Sequence, residues 1–232
     1  KQATSREGER LDDALRRVGL DNTPRLEIEE SRYLGYLEAH IEQGCYLEEA
    51  NEKIGIVTAI VGIRGLIISF KGEQNHAGTT TMKRRKDAAT AMFETAYRIN
   101  TQFPRLARET TVWTLGNAVV EPGASSIVPG AAELTLQFRD QDEGVLDALE
   151  HEVKKIVEDI RSRGEILIDV RPGREVIRPS RMDKNFQTHL EKSAQEITPN
   201  AWRYMPSAAG HDPMVIHEKI PCAMLFIPSI KG

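Results

Sequence analysis

The stretch Glu38-Ala39-His40-Ile41-Glu42-Gln43-Gly44 gathers a histidine, two carboxylates and an amide into seven residues. Imidazole and carboxylate are donors that a divalent cation accepts, and an amide beside them suits a polar substrate. The same residues would also serve as a charged turn. Three further places could carry chemistry. His76 precedes a Gly-Thr-Thr-Thr loop. Backbone N–H groups there suit an anionic group, and a histidine beside them can donate to a developing oxyanion. Alternatively, His76 caps the turn beside Thr79–Thr81, which are themselves good N-cap residues. Arg139 follows a Gly/Pro/Ser loop that contains Ser126. Its guanidinium is matched to bidentate capture of a carboxylate, or to a surface ion pair with Asp140. His211-Asp212 lies among small residues, Ala208-Ala209-Gly210, which let the chain approach closely or make a polar turn before a helix. No two histidines or cysteines have the close spacing of a zinc clip, and GxSxG, CxxC and phosphate-loop patterns are lacking.

These residues need elements to position them. Leu11, Ala14, Leu15 and Val18 repeat at helical spacing, and Gly19 stops that helix. Residues 31–41 form a second amphipathic, helix-like stretch with Tyr33, Leu34, Leu37 and Ile41 on one face. Residues 54–72 are rich in β-branched residues; as one strand they would reach roughly 60 Å, so Gly62 or Gly65 is expected to mark a bulge or a domain crossing. A strand to 72, a helix over 85–101, strands at 110–120 and 131–140, a helix over 142–163 and a strand closed by Pro172-Gly173 then follow. The order βαββαβ predicts a ferredoxin-like unit, an antiparallel four-stranded sheet with two helices on one face. A helix over 183–197 and a final apolar strand flank it, which is the pattern of one domain inserted into another. Residues 82–86, Met-Lys-Arg-Arg-Lys, read as a solvated face, with Arg85 and Asp87 available to brace the His76 loop.

Bulk properties narrow the partners. A net charge of −4 over 232 residues gives no reason to expect nucleic acid or an anionic membrane. No apolar run is long enough to span a bilayer, and two cysteines make no disulfide framework, so a reducing cytoplasm is the expected compartment. The chain closes on a buried-strand pattern with no covering element after it, so it is expected to be a piece of a longer protein.

In their order, "LEAHIEQG", "NHAGTTTM", "SSIVPG…FRD", "AAGHD" and "MLFIPSIKG" resemble the N-carbamoyl-L-amino-acid hydrolase, allantoate amidohydrolase and β-ureidopropionase family, dinuclear-metal amidohydrolases related to aminoacylases. The resemblance covers essentially the whole chain. It implies an α/β fold: a partial zinc-exopeptidase-like catalytic domain at 1–59 and 175–232, with an inserted dimerisation and lid domain at 60–174. It implies that His40 is a metal ligand and Gln43 a substrate contact. It implies that His76 polarises the scissile carbonyl, usually in the dimer partner's site, and that Arg139 grips the substrate carboxylate. His211 becomes an active-site contact. Ser126 stands where the family usually has an asparagine, and Thr81 where it usually has proline. The implied reaction is hydrolysis of the ureido or carbamoyl C–N bond of N-carbamoyl-L-amino acids or allantoate, with release of ammonia and CO2. The implied cofactors are two divalent ions, zinc or manganese, held in the longer parent. Because the family's other ligands lie outside this chain, the metal site is expected to be incomplete or absent here and the chain inactive by itself. The implied partners are a small ureido substrate and a second copy bound through the lid, with no nucleic acid and no membrane. An aminoacylase- or dipeptidase-like hydrolase is the rival enzyme reading, and a non-catalytic dimerisation module the rival of another class.

Overall fold

The computed structural model describes residues 3–5, 7–24 and 26–230. Two compact units divide at Leu34 and Gly35. The first contains α1 (Leu11–Arg17), with Asp12 and Asp13 in its first turn and Arg16 and Arg17 in its last, the charge order that suits the helix dipole. It ends two residues before Gly19, whose φ of +73° is the left-handed conformation that closes a helix.

The second unit begins with β1 (Tyr36–Ile41), α2 (Tyr46–Glu49) and β2 (Ile54–Ile60). The helix-like reading of 31–41 is corrected here: residues 36–41 are a strand. Tyr36, Glu38 and His40 alternate with Leu37, Ala39 and Ile41, and pairing with the chain's last strand overrides the helix propensity of Leu-Glu-Ala. At Val61 the chain leaves this first sheet and continues as β3 (Gly62–Lys71) in a second one. Gly62 is the crossing point. A Cβ there would lie 2.6 Å from Pro179 Cδ and 2.9 Å from the Ile177 carbonyl oxygen, so only glycine fits.

The middle of the unit runs β4 (Asn75–His76), α3 (Ala88–Gln102), β5 (Val112–Glu121), β6 (Ile127–Val128), β7 (Ala131–Asp140), α4 (Glu143–Arg161) and β8 (Leu167–Ile177). The sheet order is β5-β7-β3-β8, all antiparallel. Asp87 caps α3 by accepting from Thr90 N at 3.0 Å, and Asp142 caps α4 by accepting from Gly144 N at 2.8 Å. Leu66, Ile68 and Phe70 of β3 and Leu134, Leu136 and Phe138 of β7 share one core with Met92 and Ile99 of α3 and Leu149, Val153 and Ile156 of α4. Both helices therefore cover one face, and the other residues of β7 (Thr135, Gln137, Arg139) point away from them. The expectation that Pro172-Gly173 closes the last strand is corrected: β8 continues to Ile177 with a slip in register opposite Arg64 and Leu66. It can do so because β8 is an edge strand, where proline removes no inward hydrogen bond.

The remaining elements are β9 (Ser180–Arg181), α5 (Lys184–Ile197), β10 (Trp202–Ser207), α6 (Pro213–Ile216) and β11 (Cys222–Ile227). They complete the first sheet, in order β1-β11-β2-β10 with β9 on β2. A separate core of Leu47, Val57, Met205, Met224 and Phe226 underlies it. Among the described residues no helix is long and apolar enough to cross a membrane.

Candidate functional site

β1 is parallel to β11, with Glu38 opposite Met224 and His40 opposite Phe226. On one face of that pair the side chains of Glu38 and His40 meet His211, which the 208–212 loop delivers just before α6. One donor atom from each of the three residues lies within 4.8 Å of the others. His211 Nδ1 is 3.5 Å from Glu38 Oε1, and its ring stands edge-on to His40 at 4.6 Å between centroids. Phe226 backs the His211 ring at 5.5 Å.

The cluster is shielded. The His211 side chain is 3% exposed and that of Glu38 14%. Burial, and then the neighbouring His40, push the His211 imidazole below its usual value against the pull of Glu38 and Asp212. His211 is thus neutral at physiological pH, which is the form that ligates metals. Its Nε2 is buried without a hydrogen-bond partner among the described residues. Tyr36 Oη donates to Glu38 Oε2 at 3.1 Å, and burial together with that bond keeps the phenol protonated. His40 Nδ1 lies 2.8 Å from the Ile41 carbonyl oxygen, which fixes it as the N–H and leaves Nε2 as the free donor atom. Two imidazoles and an oriented carboxylate, one imidazole nitrogen being an orphan, are a fitting donor set for one divalent cation with an open position.

Next to the cluster the Gly/Gln turn is held firmly. Glu42 is buried, and its two carboxylate oxygens accept from Tyr46 N at 2.8 Å and Leu47 N at 2.9 Å at the start of α2. Gln43 has φ +55°, an uncommon conformation for a side-chain-bearing residue, and its N–H donates to Ser229 Oγ at 2.7 Å. The Gln43 side chain is exposed. From the second sheet, Arg139 reaches the same region: its Nη1 donates to the Ala208 carbonyl oxygen at 3.2 Å, on the loop that carries His211.

His76 and Ser126 are elsewhere. They adjoin on the small β4–β6 ladder, where His76 pairs with Ile127 and Ala77 N donates to the Ser126 carbonyl oxygen at 2.8 Å. That ladder follows Lys71, which pairs with Ala131 at one end of β7, while Arg139 is at the other. The length of β7 between them is roughly 25 Å at ~3.3 Å per residue. His76 Nδ1 accepts from Gly78 N at 3.1 Å and Thr79 N at 3.3 Å. Its proton is therefore on Nε2. Arg85 braces the turn by donating to the Thr80 and Ala77 carbonyl oxygens at 3.1 and 2.5 Å.

The structure thus brings His40, Gln43, Arg139 and His211 to one region and sets His76 and Ser126 apart. Glu38 lies in the stretch that the sequence singled out, but the reading gave it no ligand role of its own. Its signal was the i, i+2 spacing to His40, which places two side chains together only on a strand.

Residues 58–165 match the peptidase dimerisation domain of the M20 type. The chain carries an M20 dimerisation domain. Over 210 residues it is 33% identical to the allantoate amidohydrolase of Escherichia coli (strain K12), covering 90% of this chain and 49% of that protein. An N-carbamoyl-L-amino-acid amidohydrolase of Paenarthrobacter aurescens is 33% identical over 197 residues, 85% of this chain and 47% of that one. A crystal structure of an amidase of the hydantoinase/carbamoylase family from Burkholderia phymatum superposes with a TM-score of 0.92 at 43% identity, covering 99% of this chain and 57% of that one. The chain spans about half the length of the curated relatives it matches. The resemblance read from the motifs is borne out by these relatives.

Proposed function

We propose that the protein is a metal-dependent amidohydrolase that cleaves the ureido or carbamoyl C–N bond of N-carbamoyl-L-amino acids or allantoate. The observation that carries this reading is the convergence of Glu38, His40 and His211 within 4.8 Å on the face of β1. Relatives named for the two substrate classes support it. A divalent ion such as zinc or manganese, when bound, supplies Lewis acidity and a nucleophile at neutral pH. Glu38, His40 and His211 would hold one such ion; a dinuclear centre would need further donors.

The chain's own residues have distinct tasks in this reading. Arg139 binds the substrate carboxylate and so fixes its orientation beside the 208–212 loop. Gln43 offers a carboxamide, held in place by the Ser229 bond to its backbone, to the polar ureido group. His76, with its proton on Nε2, donates to the oxyanion that develops on the attacked carbonyl. The length of β7 between Arg139 and His76 supports His76 acting in the site of a second copy. Ser126 adjoins His76 and contacts the same end of the substrate.

The division at 59/60 and 174/175 belongs to this reading, with residues 60–174 as a ferredoxin-like lid and dimerisation domain. The sheet order β5-β7-β3-β8 with two helices on one face supports it. Its β5 edge supports a homodimer, since Val112 and Val119 on the strand and Phe93 and Tyr97 on the adjoining α3 are exposed. A cytoplasmic location remains the expectation from the two free cysteines.

The test is product analysis. The native full-length protein is offered allantoate, several N-carbamoyl-L-amino acids, N-acetyl-amino acids and dipeptides, before and after chelation and metal restoration. Chelator-sensitive ammonia release from a ureido substrate is expected. Release of acetate or free amino acids with no ammonia would transfer the protein to the aminoacylase or dipeptidase class.

A further inference from the structure

The Arg139 guanidinium is already occupied. Its Nε and Nη2 both donate to Gln137 Oε1, at 3.0 and 2.8 Å. That pair of N–H groups is the edge of the guanidinium that takes a carboxylate side-on. The orientation of the Gln137 amide is unambiguous, because arginine only donates and the oxygen must face it. Gln137 and Arg139 are two apart on β7, hence on one face, and it is the face without helices. Opposite Gln137 on β3 stands Gly65, which has no side chain to hold the carboxamide elsewhere. The third bond, from Nη1 to the Ala208 carbonyl oxygen, leaves the Nε/Nη2 edge turned toward Gln137.

We propose that Gln137 is an internal stand-in for the substrate carboxylate: its amide oxygen fills the Arg139 fork when no substrate is bound and exchanges with the carboxylate when one arrives. The inference rests on the reading of Arg139 as the carboxylate-binding residue. Exchange favours the substrate because a carboxylate–guanidinium bond is charged on both sides and roughly twice as strong as one to a neutral amide. Gln137 is half-buried, so the displaced carboxamide is taken up by water. Gln137 therefore acts as an internal competitor, and its hold on the fork sets the threshold for carboxylate binding. A substrate lacking the carboxylate cannot compete for the fork.

Two substitutions and two readouts test this in the native full-length protein. Gln137→Ala empties the fork, and Gln137→Glu fills it with a permanent carboxylate. With N-carbamoylglycine as substrate, Gln137→Ala should lower KM by about threefold to tenfold with kcat within about twofold, whereas Gln137→Glu should raise KM by about tenfold or more. With the neutral N-carbamoylglycinamide neither variant should change KM. Calorimetric binding of N-carbamoylglycine, which does not depend on turnover, should follow the same order: Ala tighter than native, Glu weaker. Equal KM and equal binding in all three proteins would overturn the proposal, as would weaker binding in Gln137→Ala. Should no ureido compound be turned over while the binding order still holds, the amidohydrolase reading fails and the stand-in role of Gln137 survives.

Discussion

His76 fills the capping role its sequence context allowed, and the proposed oxyanion role needs the proton that this leaves on Nε2. Its Nδ1 caps the 77–79 turn, and that bond is what places the proton on Nε2. The two roles separate by substitution. His76→Asn retains a short acceptor for the Gly78 and Thr79 N–H groups but has nothing in place of Nε2. It should leave thermal stability within about 0.5 kcal/mol of native and lower kcat by about 10²–10³ in the full-length protein. A normal kcat, or a fall in stability that accounts for the loss, would remove His76 from the reaction. The metal-ligand reading of His40 has a readout of its own. Titration with cobalt(II) should give a visible spectrum in the native protein, and His40→Ala and His211→Ala should each weaken binding about a hundredfold; unaltered binding in both would remove the cluster. At this scale the motifs pointed to His40 and His211, which the fold brings together. The sequence could not choose Glu38 over Glu42 as their companion, because a carboxylate two residues away joins a histidine only after the backbone has chosen strand over helix.

The backbone's choices have identifiable causes. Residues 131–140 alternate so regularly, with buried Ala132, Leu134, Leu136 and Phe138, that their strand was legible to the residue. The run at 36–41 was not, since Leu-Glu-Ala favours helix locally and only the parallel partner β11, far along the chain, decides otherwise. Similarly, β10 at Trp202–Ser207 passed unnoticed because its pairing with β2 and not its own pattern makes it a strand. Two predictions belong to elements. Glu42 closes the start of α2 with both oxygens, beside fully buried Leu47. Glu42→Ala should cost about 1–2 kcal/mol in urea unfolding, and an unchanged midpoint would show that the turn holds without it. Helices α3 and α4 are joined by Arg163, which donates to both oxygens of Glu94 at 2.8 Å, and by Arg98, which donates to Asp159 at 2.5 Å. The Arg163 bonds hold Glu94, and the Arg98 bond holds Asp159, below the ordinary carboxylate range. Carboxylates depressed in the folded state contribute stability above their unfolded values, near pH 4, and lose it as pH falls through the folded ones. The α3–α4 pair should therefore loosen on acidification below about pH 4. Replacing Glu94 with Gln should flatten that dependence, and an unchanged acid transition would contradict the assignment.

Over the whole molecule, the candidate residues fall at separate places. Glu38, His40 and His211 gather on the first sheet, Arg139 at one end of β7 reaches the 208–212 loop, and His76 stands by the other end. A single chain with this layout cannot close His76 on its own cluster without folding the domain through the length of β7. In the proposed homodimer, two chains joined at β5 and α3 would exchange it. The account then requires that each site take its metal ligands from one copy and its oxyanion donor from the other. Subunit mixing tests this most directly. Full-length His40→Ala and His76→Asn proteins, each inactive alone, are co-refolded in equal amounts and assayed for ammonia release from N-carbamoyl-L-amino acids and allantoate. Random pairing gives half mixed dimers, each with one intact site, so about a quarter of native activity should return. No recovery, with mixed dimers shown to be present, would contradict the shared site.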